Sequence, residues 1–305
     1  MKRLKMIVPF FMSITLFMGL FISSCKKSDS SLPPVNGYNG SNDVASTNLL
    51  AHWTFDGTNN ETISGTAPKS SAGASFITGV KGQALSLNSG YLLYPTIAAL
   101  SGTNAIPSVT VSAWINTDNN GTTVSEVFAL TQPVAAQTDW NVGPVNMYVE
   151  TSHPTTTDDT LALHSAISTY ISGTRYGGDN INDYGVRGTD FQTVHGTNKW
   201  VHYVMRYDAS GSNIDIYANG VRVSNNNYRT RSYGTPAVRL GAISIPAATM
   251  ALIGGWPNAA TGFTNSSTQT WQGLFKGSID ELRVYNKALS DLEIGSLYQL
   301  ELAGR

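Results

Sequence analysis

The sequence predicts an all-β fold, two antiparallel sheets packed face to face and closed by one short C-terminal helix. Three observations carry this. Short runs of alternating or β-branched apolar residues recur from Leu49 to Tyr285, separated by stretches rich in Gly, Asn and Ser. An Asn-Gly pair, Asn219-Gly220, joins two such runs as a two-residue hairpin. Helical signals appear only after Ser290. No repeat is visible along the chain, which argues against a solenoid or propeller. With 305 residues and 41% hydrophobic content the chain can bury a sizeable core, and the length suits one large β domain.

The chain begins with an address. Residues 1–24 read as an export signal: Lys2, Arg3 and Lys5 precede an apolar run from Met6 to Ile22, and Ser23 and Ser24 follow. Cys25 is the single cysteine. Ile22-Ser23-Ser24-Cys25 resembles the bacterial lipobox, which implies cleavage before Cys25 and a lipid on its thiol. The competing reading is an uncleaved signal anchor, because the apolar run approaches the length that spans a bilayer. Lipidation would leave no thiol for a disulfide, so the domain would rest on its core alone or with an ion. Residues 25–48, rich in Ser, Asn, Gly and Pro, read as a flexible tether spanning roughly 25 Å. Residues 49–305 are then the folded domain.

Leu49 to Phe55 alternates to give a strand whose Trp53 and Phe55 are predicted core, and Asp56-Gly57 ends it as a turn. Thr58 to Ser75 reads as a long polar loop. Gln83 to Leu87 and Gly90 to Tyr94 are strands. Val109 to Ile115 is another, with a second packed face at Trp114. Thr117 to Asn198 is irregular, with weak strands at Val145 to Glu150 and Leu161 to Ile167 around the loop that begins at Ser152. Trp200 to Tyr207 precedes the hairpin, whose turn pairs Ala218 with Val221 and Tyr217 with Arg222. A second long loop runs from Gly254 to Trp271, and Phe275 to Tyr285 is a strand near a sheet centre. Ser290 and Glu293 form a capping-box pattern, opening a helix with Leu289, Leu292, Ile294, Leu297 and Tyr298 as its apolar stripe.

The closing segment FKGSIDELRVYNKALSDLEIGSLY resembles that of laminin G-like, concanavalin A-like jelly-roll modules, in bacterial secreted proteins especially. Four further blocks agree in order: LLAHWTFDGT at Leu49, GVKGQALSLNSGYLLYP at Gly79, PSVTVSAWINTD at Pro107 and KWVHYVMRYDASGSNIDIYANGVRV at Lys199. With the lipobox, the chain resembles a surface lipoprotein of the Bacteroidetes type. The resemblance implies a jelly-roll sandwich from about Leu49 onward and says little about activity. It also implies a structural Ca²⁺ between the ends of the first and last strands, with Asp56 and Asp280 as ligands. The alternative is that Asp56 shapes its turn and Asp280 accepts a neighbouring backbone N–H.

Charge and motifs exclude more than they select. Charged residues are 13% of the chain and the mature product is mildly acidic, without a basic stripe, so no nucleic-acid partner is expected. The jelly-roll glucanases resemble one another in an E-x-D-x-x-E strand motif that sets two carboxylates on one face, and it is absent here. Asp280-Glu281 is adjacent in a strand and should point to opposite faces. His52, His153, His164, His195 and His202 show no metal-ligand spacing, and no G-x-S-x-G elbow or phosphate loop is present. Nothing nominates an enzyme. Sugar recognition needs aromatic faces for C–H stacking with Asn, Asp and Arg for hydroxyls. Trp140, Tyr176, Tyr184, Arg187, Trp256 and Trp271 supply that inventory on the long loops, against the plainer reading that each caps an end of the sandwich. The expectation is a lipid-anchored binding module of the cell envelope, on the outer membrane and facing surface or periplasm, taking glycan or an extracellular protein. The alternatives are a glycoside hydrolase or lyase of this fold and a protein-binding adhesion module.

Overall fold

The computed structural model describes residues 32–151, 159–182, 192–247 and 249–305. Residues 34–305 form one compact unit. The strands in chain order are β1 (Leu49–Trp53), β2 (Ser70–Thr78), β3 (Gln83–Leu93), β4 (Val109–Thr117), β5 (Val124–Thr131), β6 (Val145–Val149), β7 (Leu163–Ile171) and β8 (Thr174–Ile181). Then come β9 (Val201–Asp208), β10 (Asn213–Ala218), β11 (Val221–Arg222), β12 (Ser232–Tyr233), β13 (Val238–Arg239), β14 (Met250–Ile253), β15 (Gln272–Gly273), β16 (Phe275–Tyr285) and the helix α1 (Asp291–Leu302). One strip of hydrogen-bonded strands runs β11-β10-β9-β4-β16-β3-β14-β5-β6-β7-β8, with β1 on β16, β2 on β3 and β15 on β5. Among the described residues only the two-residue β15 pairs in parallel, so the sandwich is antiparallel as predicted.

The strip curls until β9 faces β7. Tyr203 on β9 crosses the gap, donating to the backbone oxygen of His164 at 2.7 Å, with Ser165 Oγ also 2.7 Å away. Between the halves lies an apolar core that includes Trp53, Phe128, Met147, Met205, Ile214 and Val284. Trp53 and Phe55 are fully buried, and Trp53 packs 6.0 Å from Phe128 by ring centroid. The hairpin has the predicted register, Tyr217 opposite Arg222 and Ala218 opposite Val221. Val221 is nevertheless 58% exposed, on the two-residue strand that ends the strip.

The capping box at α1 also forms: Ser290 Oγ accepts from the backbone N–H of Glu293 at 3.2 Å, and Glu293 Oε2 from that of Ser290 at 2.8 Å. Ile294, Leu297 and Leu300 are buried, and Tyr298 stacks on Trp114 at 5.5 Å. Leu292, expected in the stripe, is exposed.

Three expectations are corrected. The polar stretch Thr58 to Ser75 is not all loop, since its end enters β2, whose small residues pair along β3. The tether does not extend to Asn48. Val44 is buried beside Tyr285, Leu297 and Leu300, and Ser41 Oγ donates to the backbone oxygen of Arg305 at 2.7 Å. Few apolar residues in that stretch hid its packing, because its partner is the opposite end of the chain. The third concerns Asp280-Glu281. A bulge with Glu281 at φ 47° interrupts β16, so both carboxylates reach Lys81. Asp280 takes its backbone N–H, and Glu281 lies 3.7 Å from its ammonium.

Candidate functional site

Alternation along β6 and β7 turns Val145, Met147, Val149, Leu163 and Ile167 into the core and leaves Tyr148 and His164 on the outer face. These two are cross-strand partners, with ring centroids 4.5 Å apart. Three loops bring tryptophans beside them: Trp140 from between β5 and β6, Trp256 from after β14, and Trp271 from just before β15. The rings meet edge to face. Trp140 stands 5.5 Å from Trp256 and 5.6 Å from Trp271, at nearly right angles. Trp256 is buried, its indole N–H donating to the backbone oxygen of Val124 at 2.8 Å, and so fixes the other two. Trp140 and Trp271 keep half-buried faces. They line a cavity of about 250 Å³ with Val124, Tyr148 and Glu150. On its other side Trp140 borders a cavity of about 350 Å³ whose polar wall is Asn141, Ser168, Arg175 and Asp179.

His164 sits between these cavities, clamped by two carboxylates. Its Nδ1 lies 2.6 Å from Glu150 Oε1 and its Nε2 2.8 Å from Asp179 Oδ2. Burial alone would favour the neutral ring, but the contacts with Asp179 and Glu150 outweigh it and raise the imidazole above its ordinary pKa. An imidazolium donating from both nitrogens fixes both carboxylates while leaving each partly exposed, at 27% for the Glu150 side chain and 34% for that of Asp179. Across the cleft, Arg175 Nη1 donates to the backbone oxygen of Asn141 at 3.1 Å and to Ser168 Oγ at 3.2 Å. Aromatic rings, two oriented carboxylates and a guanidinium thus share one concave surface.

Of the residues the sequence nominates, Trp140, Trp256 and Trp271 come together here, although the buried Trp256 supports the site and offers it no face. Tyr176 is elsewhere, packing on Tyr233 at 4.6 Å. Tyr184, Arg187 and the lipidation candidate Cys25 lie outside the described residues. Sequence reasoning missed Tyr148, Glu150, His164, Arg175 and Asp179. The available signal was the alternation that sets Asn146-Tyr148-Glu150 and His164-Ala166-Ser168 opposite the apolar core row on each strand.

Asp56 and Asp280 do meet, at the Gly79–Gln83 turn, but as acceptors of backbone hydrogen bonds. Asp280 Oδ2 accepts from Val80 N at 2.8 Å and Lys81 N at 3.1 Å, and its Oδ1 from Glu281 N at 2.8 Å. Asp56 Oδ1 accepts from Gln83 N at 2.7 Å. Burial pushes Asp280 up to about 7 despite these donors. Calcium takes about six to eight oxygens, whereas N–H groups occupy three of the four carboxylate oxygens here. Among the described residues no three acidic, histidine or cysteine side chains could hold a metal together. The donor set does not fit the expected cation. It fits a clasped turn, in which a Cβ at Gly79 or Gly82 would collide with one of the two carboxylates.

A laminin G-type family model, described as the concanavalin A-like lectin/glucanases superfamily, matches residues 87–295. No curated protein matches the chain. Among solved structures, domain 4 of AbnA, a GH43 extracellular arabinanase from Geobacillus stearothermophilus solved with arabinotriose, is 20% identical at a TM-score of 0.49, covering 83% of this chain and 98% of its own. The binding domain of Paraclostridial Mosquitocidal Protein 1 is 13% identical at 0.50, covering 83% of this chain and 52% of its own. The botulinum neurotoxin serotype D ligand-binding domain, solved with N-acetylneuraminic acid, is 12% identical at 0.49, covering 85% and 52%. The chain thus spans about half the length of the two toxin chains, and at these identities the likeness concerns fold.

Proposed function

The chain belongs to the concanavalin A-like lectin/glucanases superfamily, and from that premise we propose that it is a non-catalytic carbohydrate-binding module held at the cell envelope by a lipid on Cys25. One observation carries the binding reading: Trp140 and Trp271, half-buried and braced by Trp256, line a cavity whose wall continues into Glu150, Asp179 and Arg175. Pyranose rings offer C–H faces to indoles and hydroxyls to carboxylates and guanidinium, and a pocket of this make-up suits both. Fixed acceptors also lower the ordering cost of binding, since His164 already holds both carboxylates. A glycan array probed with the purified protein tests the reading, and silence across plant, host and microbial polysaccharides would remove it.

The envelope reading rests on the cationic start, the apolar run and the lone Cys25 after two serines. Cell fractionation with labelled palmitate checks it. The label should follow the wild type into the membrane and be lost in Cys25→Ala.

A second reading, a hydrolase, is favoured by one feature: Glu150 and Asp179 approach the same histidine from two sides of the cleft. Release of products from a polysaccharide, abolished by Glu150→Gln, would establish it in place of passive binding.

A further inference from the structure

A separate opening lies where β4 ends and β16 begins. Two adjoining cavities, of about 340 and 260 Å³, share Thr117, Asp118 and Lys276. Strand register builds the floor. Ser86 on β3, Ser278 on β16 and Asn116 on β4 are successive cross-strand partners, so their side chains stand in one row at the inter-strand spacing of about 4.8 Å. Gly277 keeps the row tight, since at φ 147° a Cβ there would strike the backbone oxygen of Asn116.

These polar groups are unspent. Among the described residues, the side chains of Ser86, Asn116 and Ser278 make no hydrogen bond to the protein, nor do Asn88 and Asn198 at the groove's margins. Lys276 and Asp118 line both cavities and form no ion pair, with each other or with anything else described. Asparagines elsewhere in the strands are committed: Asn180 Nδ2, for instance, donates to the backbone oxygens of Ile214 and Asn225. Among the described residues no aromatic ring lines either cavity, so the opening has none of the stacking surface of the tryptophan cleft.

We propose that this groove is a second ligand site, for an acidic oligosaccharide: a uronic-acid carboxylate rests on Lys276, and sugar hydroxyls bond the Ser86–Ser278–Asn116 row and Asp118. Serine and asparagine each donate and accept, as sugar hydroxyls do. Among the described residues, the Lys276 ammonium, which has no ion-pair partner, is the one group in the groove that selects for an anion.

The test is isothermal titration of the purified protein with a tetramer of galacturonic acid and with the neutral galactose tetramer. The acid tetramer should bind at least tenfold more tightly than the neutral one, and less tightly as salt rises. Lys276→Ala, an exposed position, should lose at least tenfold, Lys276→Glu should lose binding altogether, and Lys276→Arg should retain it. The preference for the acid tetramer and its loss in Lys276→Glu should persist in the Trp271→Ala background, which separates this groove from the tryptophan cleft. Equal affinity for both tetramers, indifference to Lys276→Glu, or no heat at millimolar ligand would each overturn the proposal.

Discussion

Two clusters of the same chemical make-up sit on the two halves of the sandwich: Trp140, Tyr148, His164, Glu150 and Asp179 on one, and Trp114, Tyr298, His202, Glu281 and Glu301 on the other. The second is sealed. α1 lays Tyr298 over Trp114, and Glu301 accepts from the indole N–H of Trp114 at 2.9 Å and from Arg283 Nε at 2.7 Å. The segment before β1 completes the seal, Asn42 Oδ1 accepting from Arg283 Nη1 at 2.9 Å. His202, fully buried and further disfavoured by Arg283, is driven down to about 3 and stays neutral. Among the described residues no helix covers His164, which meets a carboxylate at each nitrogen, so its shift runs the other way. The same side chains are sealed under a lid on one half and partly exposed on the other.

The largest effect should come from opening the sealed cluster. Arg283→Met would leave Glu301 buried without its cation and Glu281 with only the more distant Lys81, at about 3–5 kcal/mol, measured by urea denaturation. Trp271→Ala should act in the opposite sense: small loss of stability and at least tenfold loss of carbohydrate affinity, since its ring is half-buried at a cavity. If both variants unfold alike, the contrast between the two clusters fails.

A smaller effect concerns the lid's own start. Ser290→Ala removes the N-cap and should cost about 1 kcal/mol, again by urea denaturation, with carbohydrate binding untouched.

Next comes the pH dependence of the clamp. His164 has a folded pKa above its ordinary 6.5, so its contribution to stability is fully present below pH 6.5 and is lost as pH rises through the folded value. Melting curves of wild type and His164→Gln, recorded from pH 5 to 9, should therefore differ most at the acid end and converge at the alkaline end. Divergence that grows with pH would contradict the clamp. The smallest expectation is for calcium: chelator should leave the melting temperature unchanged, because backbone N–H groups already occupy three of the four Asp56 and Asp280 carboxylate oxygens.

How much of this was legible follows from the range of each signal. Alternation around Val111 and Ile115, the Asn219-Gly220 turn and the Ser290–Glu293 cap are local, and local spacing was enough to read them. The segment around Val44 and the strand β2 were not legible, because their partners are α1 and β3 and their own residues are small or polar. The tryptophans of the site stood out by type. The Glu150–His164–Asp179 clamp did not, since it forms only when β6, β7 and β8 lie side by side. Asp280 shows the converse: a resemblance supplied a metal role, and the local turn supplied backbone donors instead.

The open tryptophan cleft as a carbohydrate site is the claim on which the account stands. Isothermal titration of an oligosaccharide selected by glycan array, against wild type and Trp271→Ala, tests it most directly. The account predicts measurable affinity in the wild type and at least a tenfold loss in the variant at nearly unchanged melting temperature. Equal affinity in the two proteins, or turnover of the oligosaccharide in the cell, would contradict it.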